Sequence, residues 1–175
     1  MIADAALWEP TVDSRNWKYV VLHHSGSVEG NVSSIDDAYR QRRDQFGTPW
    51  PGIGYHFVVG NGLGMADGRI EPTFRWQQQL HGAHTASRPH NLHGIGVCLV
   101  GDFEVGPPTS RQVAGVERLL EWLCGRYGIS RRRVIRHADV AATRCPGRLF
   151  PFAELLDSIR EPVALAAGVH QPSLI

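Results

Sequence analysis

The chain has 175 residues, which is the size of one ordinary domain and is long enough to bury a hydrophobic core. Its 18 Lys and Arg residues nearly balance its 17 Asp and Glu residues, so the strongly basic surface typical of nucleic-acid-binding proteins is missing. Three cysteines in a chain of this length exclude a small scaffold stabilised by disulfides.

The first predicted elements are a strand and a helix. Lys18–His23 is a short run rich in β-branched and aromatic residues, typical of a buried strand, and it ends at two adjacent histidines. Ile35–Phe46 has a helical pattern, and Ser34 is in position to cap it. Candidate functional residues therefore begin where the first strand ends.

Two further strands and a hairpin follow. Gly54–Val59 predicts a strand, and the Asn61-Gly62 pair after it is a strong hairpin signal, so we expect a return strand at Met65–Ile70. The nearly continuous apolar run Gly94–Val100 is typical of a strand covered on both faces. We expect this strand in the middle of the sheet.

The last third of the chain predicts two helices around a short strand. Thr109 and Gln112 form a capping box before a long run of apolar residues at helical spacing. Val134–Arg136 predicts a short strand, and Leu149–Ile159 predicts the last helix. Strands and helices in this order indicate an α/β fold, a single domain with a central mixed β-sheet flanked by helices.

The two ends of the chain carry little pattern. We expect residues 18–161 to form the domain, residues 1–17 an N-terminal extension and residues 162–175 a C-terminal tail. The N-terminus lacks a basic region and a long apolar stretch, so the pattern predicts no signal peptide and no membrane-spanning segment. We therefore expect cytoplasmic synthesis, no membrane partner, and action elsewhere only after export or release.

Three residues at strand ends or in the loops beyond them are candidate metal ligands: His23, His137 and Cys145. Zinc favours imidazole and thiolate donors, and a catalytic zinc site uses three protein ligands so that a fourth position stays open for water. Their spacing matches no zinc-finger pattern. Because successive side chains of a strand point to opposite faces, only one of His23 and His24 should bind the metal.

Five sequence blocks carry a resemblance along most of the chain: Val20–Ser25, Ile53–Phe57, His81–Thr85, Gly94–Gly101 and His137–Val140 with Thr143–Gly147. In this order they resemble the type-2 N-acetylmuramoyl-L-alanine amidases, the family that includes phage T7 lysozyme and animal peptidoglycan recognition proteins. The resemblance implies a mixed, helix-flanked sheet. It also implies an endolysin-like zinc hydrolase that cuts the amide bond between N-acetylmuramic acid and L-alanine of the peptidoglycan stem peptide.

The resemblance further implies roles for particular residues. His23, His137 and Cys145 match the family's zinc ligands. Tyr55 matches its active-site tyrosine, and Thr143 falls where catalytic members carry Lys or Thr. Members that only recognise peptidoglycan typically lack the cysteine ligand, so Cys145 favours an enzyme. Whether Tyr55 orients water, moves a proton or stabilises an oxyanion stays open.

Other positions have two possible roles. His84 and Asn91, beside the central strand, are candidates for substrate binding or for hydrogen bonds within their own loop. Cys98 stands where the family's cytoplasmic recycling branch carries Glu, so a carboxylate base from that strand is missing here. We expect Cys98 and Cys124 to be small core residues.

Three functions stay open at this point. The first is the zinc amidase, acting on peptidoglycan or a muropeptide as a monomer, with no nucleic-acid partner. The second is a peptidoglycan-binding module that keeps the fold without cleavage. The third is a domain with a closed structural zinc, in which His81 or His84 fills the fourth position.

Overall fold

The computed structural model describes residues 5–44 and 46–159, which form one five-stranded sheet with helices around it. The strands are β1 (Tyr19–His24), β2 (Phe57–Val59), β3 (Ile70–Pro72), β4 (Gly94–Leu99) and β5 (Val134–Arg136). Their order across the sheet is β3-β2-β4-β1-β5, and within this sheet only β3 runs antiparallel to its neighbour. The predicted α/β fold with a mixed central sheet is confirmed.

Strand β4 lies at the centre of the sheet, between β2 and β1. All of its residues are buried, as expected of an apolar run that is covered on both faces. Because β2, β4, β1 and β5 are parallel, their C-terminal ends reach the same edge of the sheet. Side chains at the ends of these strands therefore meet there, which is where open α/β sheets usually bind ligands.

The described residues contain five α-helices: α1 (Val32–Arg40), α2 (Phe74–Gln77), α3 (Arg88–His93), α4 (Ser110–Tyr127) and α5 (Phe152–Ser158). The sequence pattern does not predict α2 and α3, because helices this short show no clear periodicity. Helix α4 confirms the predicted capping box, since the Thr109 hydroxyl accepts a hydrogen bond from the Gln112 N–H at 3.0 Å.

The predicted boundaries of α1 are wrong. The helix begins at Val32 because Asn31 caps it, and the Asn31 side-chain oxygen accepts a hydrogen bond from the Ser34 N–H at 2.9 Å. Ser34, the predicted cap, therefore lies in the first turn. The helix ends at Arg40, before the predicted end at Phe46.

The hairpin after β2 is present, but its return strand lies later than predicted. Strand β3 pairs with β2 at Ile70–Pro72, whereas the prediction placed it at Met65–Ile70. The Asn61 side chain explains the longer loop. It accepts from the Leu63 N–H at 3.0 Å and donates to the Val28 carbonyl at 2.8 Å, so it anchors the loop to a neighbouring segment.

Strand β2 and helix α5 are shorter than predicted. β2 begins at Phe57 instead of Gly54. Helix α5 begins at Phe152 instead of Leu149, because the Leu149 N–H donates to the Phe103 carbonyl at 2.9 Å and holds the preceding segment against another loop.

The main hydrophobic core lies between one face of the sheet and helices α4 and α5. Trp8 and Trp17 belong to this core and are 3% and 2% exposed, so part of the predicted N-terminal extension packs onto the domain. The predicted tail, residues 162–175, lies outside the described residues. Every helix in the described part of the chain is too short or too polar to span a lipid bilayer.

Candidate functional site

Three predicted ligands meet at the C-terminal edge of the parallel strands. His23 lies near the end of β1, His137 directly follows β5, and Cys145 lies in the loop after it. One donor atom from each of the three side chains lies within 4.8 Å of the others. These residues could therefore hold a metal ion, and in the described residues the group contains no fourth donor.

The loop between His137 and Cys145 doubles back, as its sequence suggests. The Ala138 N–H donates to the Cys145 carbonyl at 2.9 Å, which brings the two ends of the loop together. The Thr143 hydroxyl accepts a hydrogen bond from the Cys145 N–H at 3.2 Å, and the His24 N–H lies 3.4 Å from the Cys145 sulfur. Backbone groups thus hold the thiol beside β1.

The two adjacent histidines have different surroundings. His23 is fully buried, and its Nδ1 lies 3.8 Å from the Cys145 sulfur. His24 points elsewhere. Its Nδ1 accepts a hydrogen bond from the Phe103 N–H at 3.1 Å and lies 3.7 Å from the Asp102 carboxylate. Only His23 belongs to the group of three donors, while His24 anchors the loop after β4.

His84 lies directly behind His23. Its Nδ1 is 3.0 Å from His23 Nε2, and its Nε2 is 3.3 Å from the Gly94 carbonyl oxygen. Asn91 supports the backbone of the same loop. Its side-chain oxygen accepts from the N–H groups of His84 and Thr85 at 2.9 and 3.1 Å, and its amide donates to the Thr85 carbonyl at 2.7 Å. These contacts match the second role considered for Asn91, a hydrogen bonder within its loop.

Burial keeps the imidazoles of this region neutral. Desolvation is the largest cause of the lowered pKa of His23 and His137, and it lowers the pKa of His84 to about 3. Neutral imidazole is the form that binds a metal. Burial also raises the pKa of the Cys145 thiol to about 11, although the His24 N–H acts in the opposite direction.

Tyr55 lies beside the three donors. Its ring centroid is 5.0 Å from that of His23 and 5.7 Å from that of Tyr39. Burial raises the pKa of Tyr55 well above its usual value, so the phenol keeps its proton at neutral pH. Cys98 and Cys124 are fully buried or nearly so, in agreement with a core position.

A cavity of about 660 Å³ has two of the three donor residues, His137 and Cys145, in its walls, while His23 is fully buried. Its walls include Tyr39, Arg42, Trp50, Tyr55, His84, His137, Thr143 and Cys145. A second cavity of about 300 Å³ also has Ser25, Tyr39, Arg42 and Tyr55 in its walls. Because the two cavities share these four residues, they lie side by side, and together they are called the groove below.

Three residues of this groove were not predicted from the sequence. Tyr39 and Arg42 both fall within the predicted helix Ile35–Phe46, where an aromatic residue at helical spacing looks like a core residue. Trp50 follows in a segment with no periodicity. The Arg42 guanidinium carbon lies 4.1 Å from the Tyr39 ring centroid and 5.6 Å from that of Trp50. The short spacing of Tyr39 and Arg42 is the one signal that could have linked them.

Comparison with known proteins identifies a family for most of the chain. Residues 13–148 match the family model described as N-acetylmuramoyl-L-alanine amidase. Peptidoglycan-recognition protein 2 of Holotrichia diomphalia is 28% identical over 141 residues, which cover 75% of this chain and 68% of that protein.

Solved structures share the fold. The N-acetylmuramoyl-L-alanine amidase LysC from Clostridium intestinale URNW superposes with a TM-score of 0.68 at 26% identity, covering 87% of this chain and 95% of that one. Human PGRP-IβC, solved in complex with glycosamyl muramyl pentapeptide, superposes with a TM-score of 0.60 at 22% identity, covering 81% and 84%.

Proposed function

Because the chain belongs to the N-acetylmuramoyl-L-alanine amidase family, we propose that it is a zinc-dependent amidase that cuts peptidoglycan between N-acetylmuramic acid and L-alanine. The observation that carries the proposal is the cluster of His23, His137 and Cys145, of which His137 and Cys145 line the groove. Three donors with no fourth among the described residues favour an open catalytic site over a closed structural one.

The donor set fits zinc. Zinc bonds of about 2.0–2.1 Å to nitrogen and about 2.3 Å to sulfur, in tetrahedral geometry, place a nitrogen and a sulfur donor about 3.6 Å apart. The Cys145 sulfur and His23 Nδ1 are 3.8 Å apart, close to this separation. Zinc bound there would activate water and polarise the amide carbonyl.

Two side chains of the groove would stabilise the negative charge that develops on the amide oxygen by donating hydrogen bonds to it. The Thr143 hydroxyl oxygen accepts a hydrogen bond from the Cys145 N–H. The hydroxyl proton of Thr143 therefore remains available for a hydrogen bond into the groove. Tyr55 offers a second donor, since the raised pKa of its phenol keeps the hydroxyl protonated. Both residues line the groove, which supports their assignment as catalytic residues.

The proposed substrate is peptidoglycan or a muropeptide. A protein of this fold was solved with a glycosamyl muramyl pentapeptide, and the open groove suits a polymer with a peptide branch. We propose that the chain acts as a monomeric catalytic domain on the cell wall.

The test is an amidase assay on purified peptidoglycan fragments, run with zinc analysis on three proteins. The wild type should hold about one zinc per chain and release new L-alanine amino termini, and Cys145→Ala should lose both properties. Cys124→Ala is the matched control, because it removes a buried thiol in α4, outside the donor cluster, and should keep both.

A folded, zinc-loaded wild type that cuts no fragment would contradict the amidase proposal. Binding of those fragments would then assign the chain to peptidoglycan recognition, the function named for its Holotrichia relative.

A further inference from the structure

His84 is a buried residue with both ring nitrogens engaged. It is 4% exposed, its Nδ1 lies 3.0 Å from His23 Nε2, and its Nε2 lies 3.3 Å from the Gly94 carbonyl oxygen. With both nitrogens occupied by protein groups, no polar atom of this side chain is left for a substrate. Any role of the His84 ring nitrogens therefore depends on their contacts with His23 and the Gly94 carbonyl.

The two hydrogen bonds determine where the protons lie. The Gly94 carbonyl can only accept, so the proton of neutral His84 is on Nε2 and its Nδ1 is an acceptor. His23 Nε2 must then donate to that acceptor. The proton of neutral His23 is thereby placed on Nε2, which leaves a free lone pair on Nδ1, the atom that faces the Cys145 sulfur at 3.8 Å.

Two glycines make room for the His84 ring. A Cβ atom at Gly96 would lie 2.5 Å from His84 Cδ2, and a Cβ atom at Gly82 would lie even closer to the same atom. Real Cβ atoms essentially never come this close, so the ring fits here only because both positions lack a side chain. The position of the ring is therefore set from both sides by backbone.

We propose that His84 is a positioning residue that holds His23 in the tautomer and orientation needed for metal binding. The inference rests on the proposed function only in taking His23 as a metal ligand. A ligand histidine whose second nitrogen donates to a fixed acceptor is held in its tautomer and is a better donor, and loss of such a partner costs about 10–100-fold in metal affinity. His84 acts through His23.

The test measures zinc dissociation constants by competition with a metallochromic chelator, without substrate. His84→Leu fills the site but removes the acceptor, so its zinc affinity should fall about 10–100-fold. His84→Asn places an amide oxygen near the former Nδ1 and should recover most of that loss. His56→Leu is the matched control, because His56 is also a buried histidine and its ring nitrogens hydrogen-bond the backbone of Leu80 and Gly96. It should bind zinc as the wild type does.

Circular dichroism of the metal-free proteins checks that each variant folds. His84→Ala removes the acceptor without adding bulk against the two glycines, and it gives the same comparison if leucine does not fit. Wild-type affinity in folded His84→Leu or His84→Ala would overturn the inference, as would equal losses in the His84 and His56 variants. The expected order of affinities in a chain without amidase activity would support this inference and contradict the proposed function.

Discussion

The buried histidine His56 should lower the free energy of unfolding of the domain as the pH falls. It is fully buried, its Nδ1 accepts from the Gly96 N–H at 2.9 Å, and its Nε2 lies 3.0 Å from the Leu80 carbonyl oxygen. Desolvation by burial is the main cause of a pKa well below the ordinary 6.5. The folded state therefore holds His56 neutral at pH values where the unfolded chain takes up a proton.

The direction in which the free energy of unfolding changes with pH follows from this difference in proton uptake. The stability contributed by neutral His56 is fully present above the unfolded pKa of 6.5 and is lost as the pH falls below it. One proton changes the free energy of unfolding by at most about 1.4 kcal/mol per pH unit. Between pH 8.0 and pH 5.5 the loss from this one residue is about 1.4 kcal/mol.

Urea unfolding of the wild type and His56→Asn, with a chelator at both pH values, measures this loss. Asn keeps an acceptor for the Gly96 N–H but cannot titrate, and the unpaired Leu80 carbonyl should cost about 1–3 kcal/mol at pH 8.0. The gap between the two proteins should narrow by about 1.4 kcal/mol at pH 5.5. The other histidines titrate in both proteins, so their contributions cancel in the difference between the two free energies of unfolding. A gap that is equal at both pH values would refute a neutral, buried His56.

Three further substitutions have defined outcomes. Tyr55→Phe should lower kcat by about 10²–10³-fold, as loss of one oxyanion donor does, with unchanged zinc content. Thr109→Ala should lower the free energy of unfolding by about 1 kcal/mol, measured with urea, because it removes the capping bond to the Gln112 N–H. Gly96→Ala should cost about 1–3 kcal/mol and also weaken zinc binding, because its Cβ would lie 2.5 Å from the His84 ring.

Each of these has a clear contrary result. Full activity in Tyr55→Phe would show that the phenol proton takes no part in the reaction. An unchanged urea midpoint in Thr109→Ala would mean that the cap contributes nothing to α4. Gly96→Ala with normal stability and normal zinc affinity would show that the His84 ring can move without consequence.

The strands along the chain and the long helix could be predicted because their signals are local. The apolar run of β4 and the capping box of α4 appear in a few consecutive residues, and both are confirmed. Boundaries set by distant contacts could not be predicted. Strand β3 begins late because Asn61 anchors its loop to Val28, and α5 begins late because Leu149 bonds Phe103.

For the candidate site, the sequence by itself determined the donor types, the strand ends that carry them and the alternation that separates His23 from His24. Only the tertiary structure decided which atoms meet. A parallel strand order and a doubled-back loop bring Cys145 to His23, and the contact with His84 on the opposite side of the ring leaves Nδ1 facing the Cys145 sulfur. The physical reason is that residue type and period are properties of the local chain, whereas burial and hydrogen-bond partners depend on segments far apart in sequence.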